Sequence, residues 1–235
     1  MILVKDKDIV VPGEVLAEGM DFLPSYGAFR EEDKIISMRL GLAEVSGRLI
    51  KVVPLTGRYI PKMGDNVIGK VVDIGFMGWR VDIGWAFDVS LSMKEASRDF
   101  IEKGADLSQY YDYGDIIIGK IVNAVSSKII DITMNGPNLR KLKNGRLIDC
   151  EPSKVPRIIG KQGSMIKMIN EYSDCNISVG QNGKVWISNK DPENALIAIK
   201  AIRMIEERAH LSGLTDQVKE FLENETSKKK GQQKE

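Results

Sequence analysis

A pair of glycines set between two helical segments constrains this chain more than any other feature. The stretch Arg157-Ile-Ile-Gly-Lys-Gln-Gly-Ser-Met-Ile166 puts Gly160 and Gly163 at a bend where neither carries a Cβ, so backbone can pass within contact distance of a sugar-phosphate strand. The helix that resumes at Ser164 aims unpaired N–H groups at the same place. Lys161 lies inside the bend, Lys154, Arg157 and Lys167 flank it, and no acidic residue occurs between Lys154 and Ile169. The result is a local cationic patch. Ile158, Ile159, Ile166 and Ile169 are read as core that could also floor a groove for bases.

The surroundings of the bend have a definite order. Residues 146–151 read as a strand, 152–159 and 164–172 as helices, and 176–179 and 184–188 as two strands joined through Gln181-Asn182-Gly183. Asn-Gly between β-rich runs is a hairpin signal, because both residues accept positive φ. Asp191 as N-cap and Pro192 at the first helical position open a long helix whose stripe Ala195, Ile199, Ile202 and Ile205 should pack on a three-stranded sheet. The tail, residues 223–235, with its three consecutive lysines from Lys228, is expected to be disordered.

Upstream, Gly64-Asp-Asn-Val-Ile-Gly-Lys-Val-Val72 repeats as Gly114-Asp-Ile-Ile-Ile-Gly-Lys-Ile-Val122. A Gly-Asp turn feeding β-branched residues is a strand opening. Between the repeats lie β runs at 79–83 and 85–91 and a short helix candidate at 93–103; a further β run follows at 128–134. Five short strands and one helix are the parts of an OB barrel. Earlier still, short β runs at 9–11, 35–40 and 49–53, punctuated by glycine and proline, read as a small all-β unit.

A chain of 235 residues accommodates two or three such domains. The fold class expected is therefore multidomain, β plus α+β, in four stretches: an N-terminal all-β domain (1–61), a five-stranded OB barrel (62–140), an α+β domain with a three-stranded sheet packed by three helices (145–222), and the tail. A formal net charge of +1 says little about partners. No apolar run approaches the roughly 20 residues that cross a bilayer, and a cytoplasmic location is expected. Cys150 and Cys175 are too few for a disulfide framework or zinc site and are read as reduced; His210 is the single histidine, read as solvated or capping. With acidic residues scattered, neither metal-dependent nor imidazole-based cleavage is expected, and neither is a metal or cofactor.

The order around Gly160 and Gly163 resembles a type I KH domain, from about residue 145 to about 209. Such domains clamp about four nucleotides of single-stranded RNA or DNA. The resemblance implies that Gly160, Lys161, Gln162 and Gly163 contact backbone, beside Lys154, Arg157 and Lys167. Residues 62–135 resemble an OB barrel of the S1 type, through Gly69-Lys70 and Gly119-Lys120. This implies stacking on aromatics beside cations, with Lys70, Phe76, Trp79, Arg80 and Lys120 as contacts and Trp85 as a further candidate. Where such barrels carry a second aromatic, a histidine and a late arginine, this chain aligns Arg80, Ser90 and Asp131. The β unit with Val11-Pro12-Gly13-Glu14, then Val53-Pro-Leu-Thr-Gly-Arg-Tyr-Ile-Pro-Lys-Met-Gly-Asp65, the barrel, and one KH domain carrying Gly180-Gln-Asn-Gly183 together resemble the archaeal exosome's KH-containing RNA-binding cap subunit. That resemblance implies a non-catalytic protein that passes single-stranded RNA to a hexameric phosphorolytic 3′ to 5′ exoribonuclease ring, three copies per ring. The β unit would dock, and Gly180, Asn182 and Gly183 would be structural parts of the KH fold. A transcription-elongation factor is the alternative, but it would carry two KH domains and a helical N-terminus; a nuclease is the other class weighed.

Overall fold

The computed structural model describes residues 1–124, 129–209, 211 and 213–232, so His210 and Lys128 lie outside the described residues. Two compact units are formed, Met1–Gly57 and Arg58–Glu235. In the first, short strands β1 (Ile9–Val10), β2 (Val15–Glu18), β3 (Leu23–Pro24), β4 (Ala28–Glu31), β5 (Lys34–Ser37), β6 (Gly41–Ser46) and β7 (Leu49–Pro54) make two sheets, ordered β1-β6-β7-β3 and β2-β5-β4. Val10, Leu16, Ile35, Ile50 and Val52 fill the space they enclose. Tyr59 lies past the boundary and belongs with the barrel, its hydroxyl donating to Asp65 Oδ2 at 2.7 Å.

The second unit begins with β8 (Asn66–Gly75), β9 (Gly78–Asp82), β10 (Val89–Ser92), helix α1 (Met93–Ala96), β11 (Ile116–Ala124), β12 (Ile130–Thr133) and β13 (Arg140–Leu142). Strand order β12-β10-β9-β8-β11, with β11 pairing back onto β12, closes a five-stranded barrel among the described residues; β13 adds outside β11. The sequence repeat has a physical cause here. Its two copies lie antiparallel as β8 and β11 and exchange equivalent bonds: Gly64 N–H to Ile121 O (2.8 Å) and Gly114 N–H to Val71 O (2.9 Å). The reciprocal bonds are Ile121 N–H to Asp65 O and Val71 N–H to Asp115 O, both 2.8 Å. A local two-fold thus relates the repeats. Gly69 is needed inside it, because a Cβ there would lie 2.5 Å from Val81 Cγ1. Of the helix expected at 93–103, only the four residues of α1 form; Ser97 at its C-cap is extended and ends it.

After β14 (Arg146–Asp149) come α2 (Val155–Ile159), α3 (Ser164–Ser173), β15 (Asn176–Val179), β16 (Lys184–Ser188), α4 (Pro192–Glu207) and α5 (Leu214–Gln232). The sheet is antiparallel, ordered β14-β16-β15. This β-α-α-β-β-α order is that of a type I KH domain. Helices cover one face, with Val155, Ile158, Ile169, Val185 and Ile202 in their core. The other face meets the barrel through Trp186 and Leu147 against Ile68, Ile118 and Leu142. Asp191 caps α4 as expected, accepting from Glu193 N at 2.9 Å. Its buried face is Ile197, Ala198, Ala201, Ile202 and Ile205, while Ala195 and Ile199 are half-buried. The stripe is rotated because α4 packs on the sheet through β16 and also on helices α2, α3 and α5. Of the tail expected to be disordered, residues 223–232 belong to α5, which is held by Leu214, Val218 and Leu222 in the core and by Lys200 Nζ to Glu225 at 3.1 Å, and residues 233–235 lie outside the described residues.

Candidate nucleic-acid interface

The bend at Gly160 is built from three positive-φ residues within four positions. Gly160 has φ +74° and ψ 173°, Gln162 φ +54°, and Gly163 φ +78°. Proline at the start of α2 and the missing Cβ at its end confine that helix to five residues. The two glycines differ in what they permit. A Cβ on Gly160 would stand 2.7 Å from both the N and Cβ of Met165, so its bareness serves the turn's own closure onto α3. A Cβ on Gly163 would meet nothing nearer than Ile166 Cγ2 at 3.8 Å, leaving its outer side open to a ligand. The expected slot between two bare α-carbons is thus half occupied by the protein itself.

Arg157, Lys161, Gln162 and Lys167 are exposed and Lys154 half-buried; among the described residues no ion pair engages any of the four cations. A cleft of about 680 Å³ opens beside the bend, walled by Arg157, Lys161 and Ser164 on one side and Thr215 and Asp216 on the other. Ile158 and Ile169 are fully buried, while Ile159 and Ile166 are half-buried beneath the bend. The bend therefore combines unneutralised cations with accessible main chain, which is the chemistry that holds a phosphodiester strand.

The barrel residues are not brought together. Trp79, 2% exposed, points into the barrel, its Nε1 donating to Tyr111 O at 2.8 Å and its ring edge-on to Tyr111. It cannot stack on a base, which corrects its assignment as a contact. Trp85 is half-buried against the barrel core and edge-on to Phe87. Phe76 stands at the tip of the β8–β9 hairpin, fully in solvent, whereas Lys70 lies six residues back along β8, roughly 20 Å at about 3.3 Å per residue. Lys120 pairs with Asn66 near the start of β8, away from Phe76. Arg80 is exposed and lies between Asp73 and Ser90, with Asp131 next in register. That outer face offers acids beside its arginine and no aromatic at these positions.

Asn182, 7% exposed, does more than belong to the KH hairpin. Its Nδ2 donates to Ile68 O (2.7 Å) and Ile83 O (2.8 Å), and its Oδ1 accepts from Ile68 N (3.1 Å). Strand β9 pairs with β8 only as far back as Lys70, so Ile68 offers its N–H and C=O to a side that β9 does not cover. The asparagine amide supplies the missing ladder partner. Gln181 N–H adds a bond to Asn66 O at 2.8 Å, and a Cβ on Gly180 would press to 2.8 Å from Ile68 N. Gly183, at φ +80°, closes the hairpin. The hairpin thus locks the KH domain to the barrel.

Among the described residues no group of three His, Cys, Asp or Glu side chains could hold a metal ion, and no helix is long and apolar enough to cross a membrane. Burial, with Glu206 nearby, pushes the Cys150 thiol up to about 12, so it is no ready nucleophile.

Residues 7–56 match the family described as the exosome RNA binding protein RRP4 N-terminal domain, residues 58–100 the RRP4 S1 domain, and residues 145–193 a KH domain. Exosome complex component Rrp4 of Thermococcus kodakarensis is 46% identical over 94% of this chain and 87% of its own length. Its counterpart of Methanothermus fervidus is 44% identical over 94% of this chain and 98% of its own. A crystal structure described as that of a candidate exosome complex RNA-binding protein superposes with a TM-score of 0.65 and 33% identity, over 74% of this chain and 99% of that one. With the three domains in one order and this identity along nearly the whole chain, the protein belongs to the Rrp4 family of exosome complex components.

Proposed function

We propose that this chain is a non-catalytic RNA-binding cap subunit of an exosome, which captures single-stranded RNA and passes it to a phosphorolytic 3′ to 5′ exoribonuclease ring in the cytoplasm. The observation that carries the reading is the bend at residues 160–163, where four cations surround an open Gly163 and none of them is in an ion pair among the described residues. Capture there needs no sequence code, since phosphate contacts position a strand without reading it. The relatives' names supply the assembly, and the hexameric ring with three cap copies is part of the proposal.

The N-terminal unit supports docking. On its larger sheet, Ile9, Leu42 and Val53 are cross-strand neighbours, and Leu23 pairs with Leu49. Ile50 and Val52 between them point to the core, so this apolar row lies on the outer face, where Ile9, Leu23, Leu49 and Val53 are exposed. The Glu44–Lys51 ion pair separates these apolar residues into two small exposed groups on that face, and apolar side chains left outside in this way suit a protein contact.

The test is a salt titration of RNA binding by the full chain and its Arg157→Ala/Lys161→Ala variant. Removing two phosphate contacts from a single strand should weaken binding and make the slope of log affinity against log salt shallower by about 1.4, at about 0.7 per contact. Unchanged affinity and slope would refute the bend as a contact. Incubating the purified chain with labelled RNA, phosphate and magnesium tests the non-catalytic part, and shortening of the RNA would overturn it.

A further inference from the structure

On the strand face of the barrel the positions of Asp73, Arg80, Ser90 and Asp131 carry no ring, and the exposed Tyr113 is tied by its hydroxyl to Asp73 at 3.4 Å. Aromatic and cationic groups collect instead at one end of the barrel. Phe76 (96% exposed) and Met77 (72%) form the tip of the β8–β9 hairpin, and Phe100 (87%) projects from the irregular segment after α1. The two segments are adjacent because Met93 N–H donates to Met77 O at 3.1 Å. Between them lies a pocket of about 440 Å³, with Met77, Met93, Phe100 and Ile101 as its apolar walls. Lys94, Arg98 and Lys103 also line it, against the single acid Asp99. Among the described residues none of these three cations is in an ion pair.

An apolar slot with a protruding phenyl ring and a rim of free cations suits a planar, uncharged ring attached to an anionic chain. We infer that the pocket between Met77 and Phe100 is a stacking site for a base of single-stranded RNA, with Lys94, Arg98 and Lys103 facing the phosphates on either side; this rests on the chain binding RNA as proposed above. Stacking accepts any base, because each has a π face, and the cations read charge alone. The site would add a second hold on the strand, on the barrel, independent of the KH bend. Phe100 is so exposed that its removal leaves the barrel core intact.

The experiment measures binding of a ten-nucleotide oligoadenylate, and of an abasic strand with the same phosphates, to the full chain and to Phe100→Ala and Phe100→Trp. Phe100→Ala should weaken the oligoadenylate about 5- to 150-fold, the loss of one stacked base at about 1–3 kcal/mol. Phe100→Trp should restore it, and the abasic strand should bind all three proteins alike. Equal oligoadenylate affinity of Phe100→Ala and the unaltered chain overturns the inference, as does an equal loss on the abasic strand. If Phe100→Ala keeps its RNA affinity but no longer joins its partner subunits, the pocket is a protein contact and the inference is equally overturned. Should the unaltered chain bind no RNA, the proposed function falls as well; should Arg157→Ala/Lys161→Ala weaken binding while Phe100→Ala does not, only the stacking site falls.

Discussion

Replacing Asn182 by alanine should loosen the barrel from the KH domain without touching any group proposed to meet RNA. The side chain makes three bonds of 2.7, 2.8 and 3.1 Å to main-chain groups of Ile68 and Ile83, and it is almost wholly buried. Each buried backbone group deprived of a partner costs about 1–3 kcal/mol, relieved in part where water enters the space vacated. A loss of about 3 kcal/mol follows for the unit Arg58–Glu235, or about 6–12 °C in its melting temperature for a domain of that size. Urea unfolding followed by circular dichroism measures it, and hydrogen exchange at the Ile68 amide locates it, since that N–H loses its acceptor. Asn182→Asp supplies the sign. An ionised carboxylate still accepts from Ile68 N–H but sets its second oxygen against two carbonyls, so this variant should be destabilised at neutral pH at least as much as alanine. Protonation restores a donor, so the carboxyl's folded pKa is raised above the unfolded value of about 3.9. The recovered stability is then fully present below about 3.9 and is lost as pH rises through the raised pKa. A loss under about 1 kcal/mol for Asn182→Ala, or an unchanged exchange rate at Ile68, would refute the amide as the ladder partner.

The two glycines of the bend should separate under substitution. Gly160→Ala forces a Cβ against Met165 at positive φ and should lower the melting temperature clearly. Gly163→Ala meets open space and costs only the left-handed conformation, about 1–2 kcal/mol; equal melting temperatures for the two would contradict the geometry. Cys150 should resist alkylation by iodoacetamide in the native protein at pH 8.5 and react once unfolded, because burial holds its thiol near 12 rather than 9.0. The corresponding stability is intact below 9.0 and lost as pH rises toward 12, so weakening confined to acid would count against it.

What the sequence made legible, and what it did not, follows from how far apart the interacting residues lie. The KH order could be read because each of its signals is local: the glycine bend, the Asn-Gly hairpin and the Asp-Pro cap each act within a few residues. Trp79 was open to the same kind of reading. Trp79, Val81 and Ile83 alternate with Arg80 and Asp82, and that period of two already turns the ring to the side of the buried residues. Its candidacy rested on residue type, and the alternation outweighs type. Ile199 misled for a different reason: one helical stripe presumes one neighbour, and α4 packs on a strand and three helices. Asn182 lies 114 residues from Ile68, and a hairpin turn looks the same in sequence whether its tip meets solvent or another domain.

Phe100 shows where local patterns stop being informative. It lies beside Ile101, and with no periodic element after α1 to assign them faces, either could have been the buried one. Ile101 goes inward, joining Leu107 in the barrel core, and Phe100 goes outward. Keeping the ring in solvent forgoes about 1.5–3 kcal/mol of burial, a cost that the fold alone does not require. The opposite arrangement holds at Gly160, where a feature expected to admit a ligand instead completes the protein's own packing. Together the two positions shift the balance of the interface, from a slot made by two glycines toward one open glycine with its cations and a separate aromatic hold on the barrel. A strand held at two points by contacts that do not read sequence can still advance, since each base stacks as well as the one before it, and that is the behaviour a threading subunit needs.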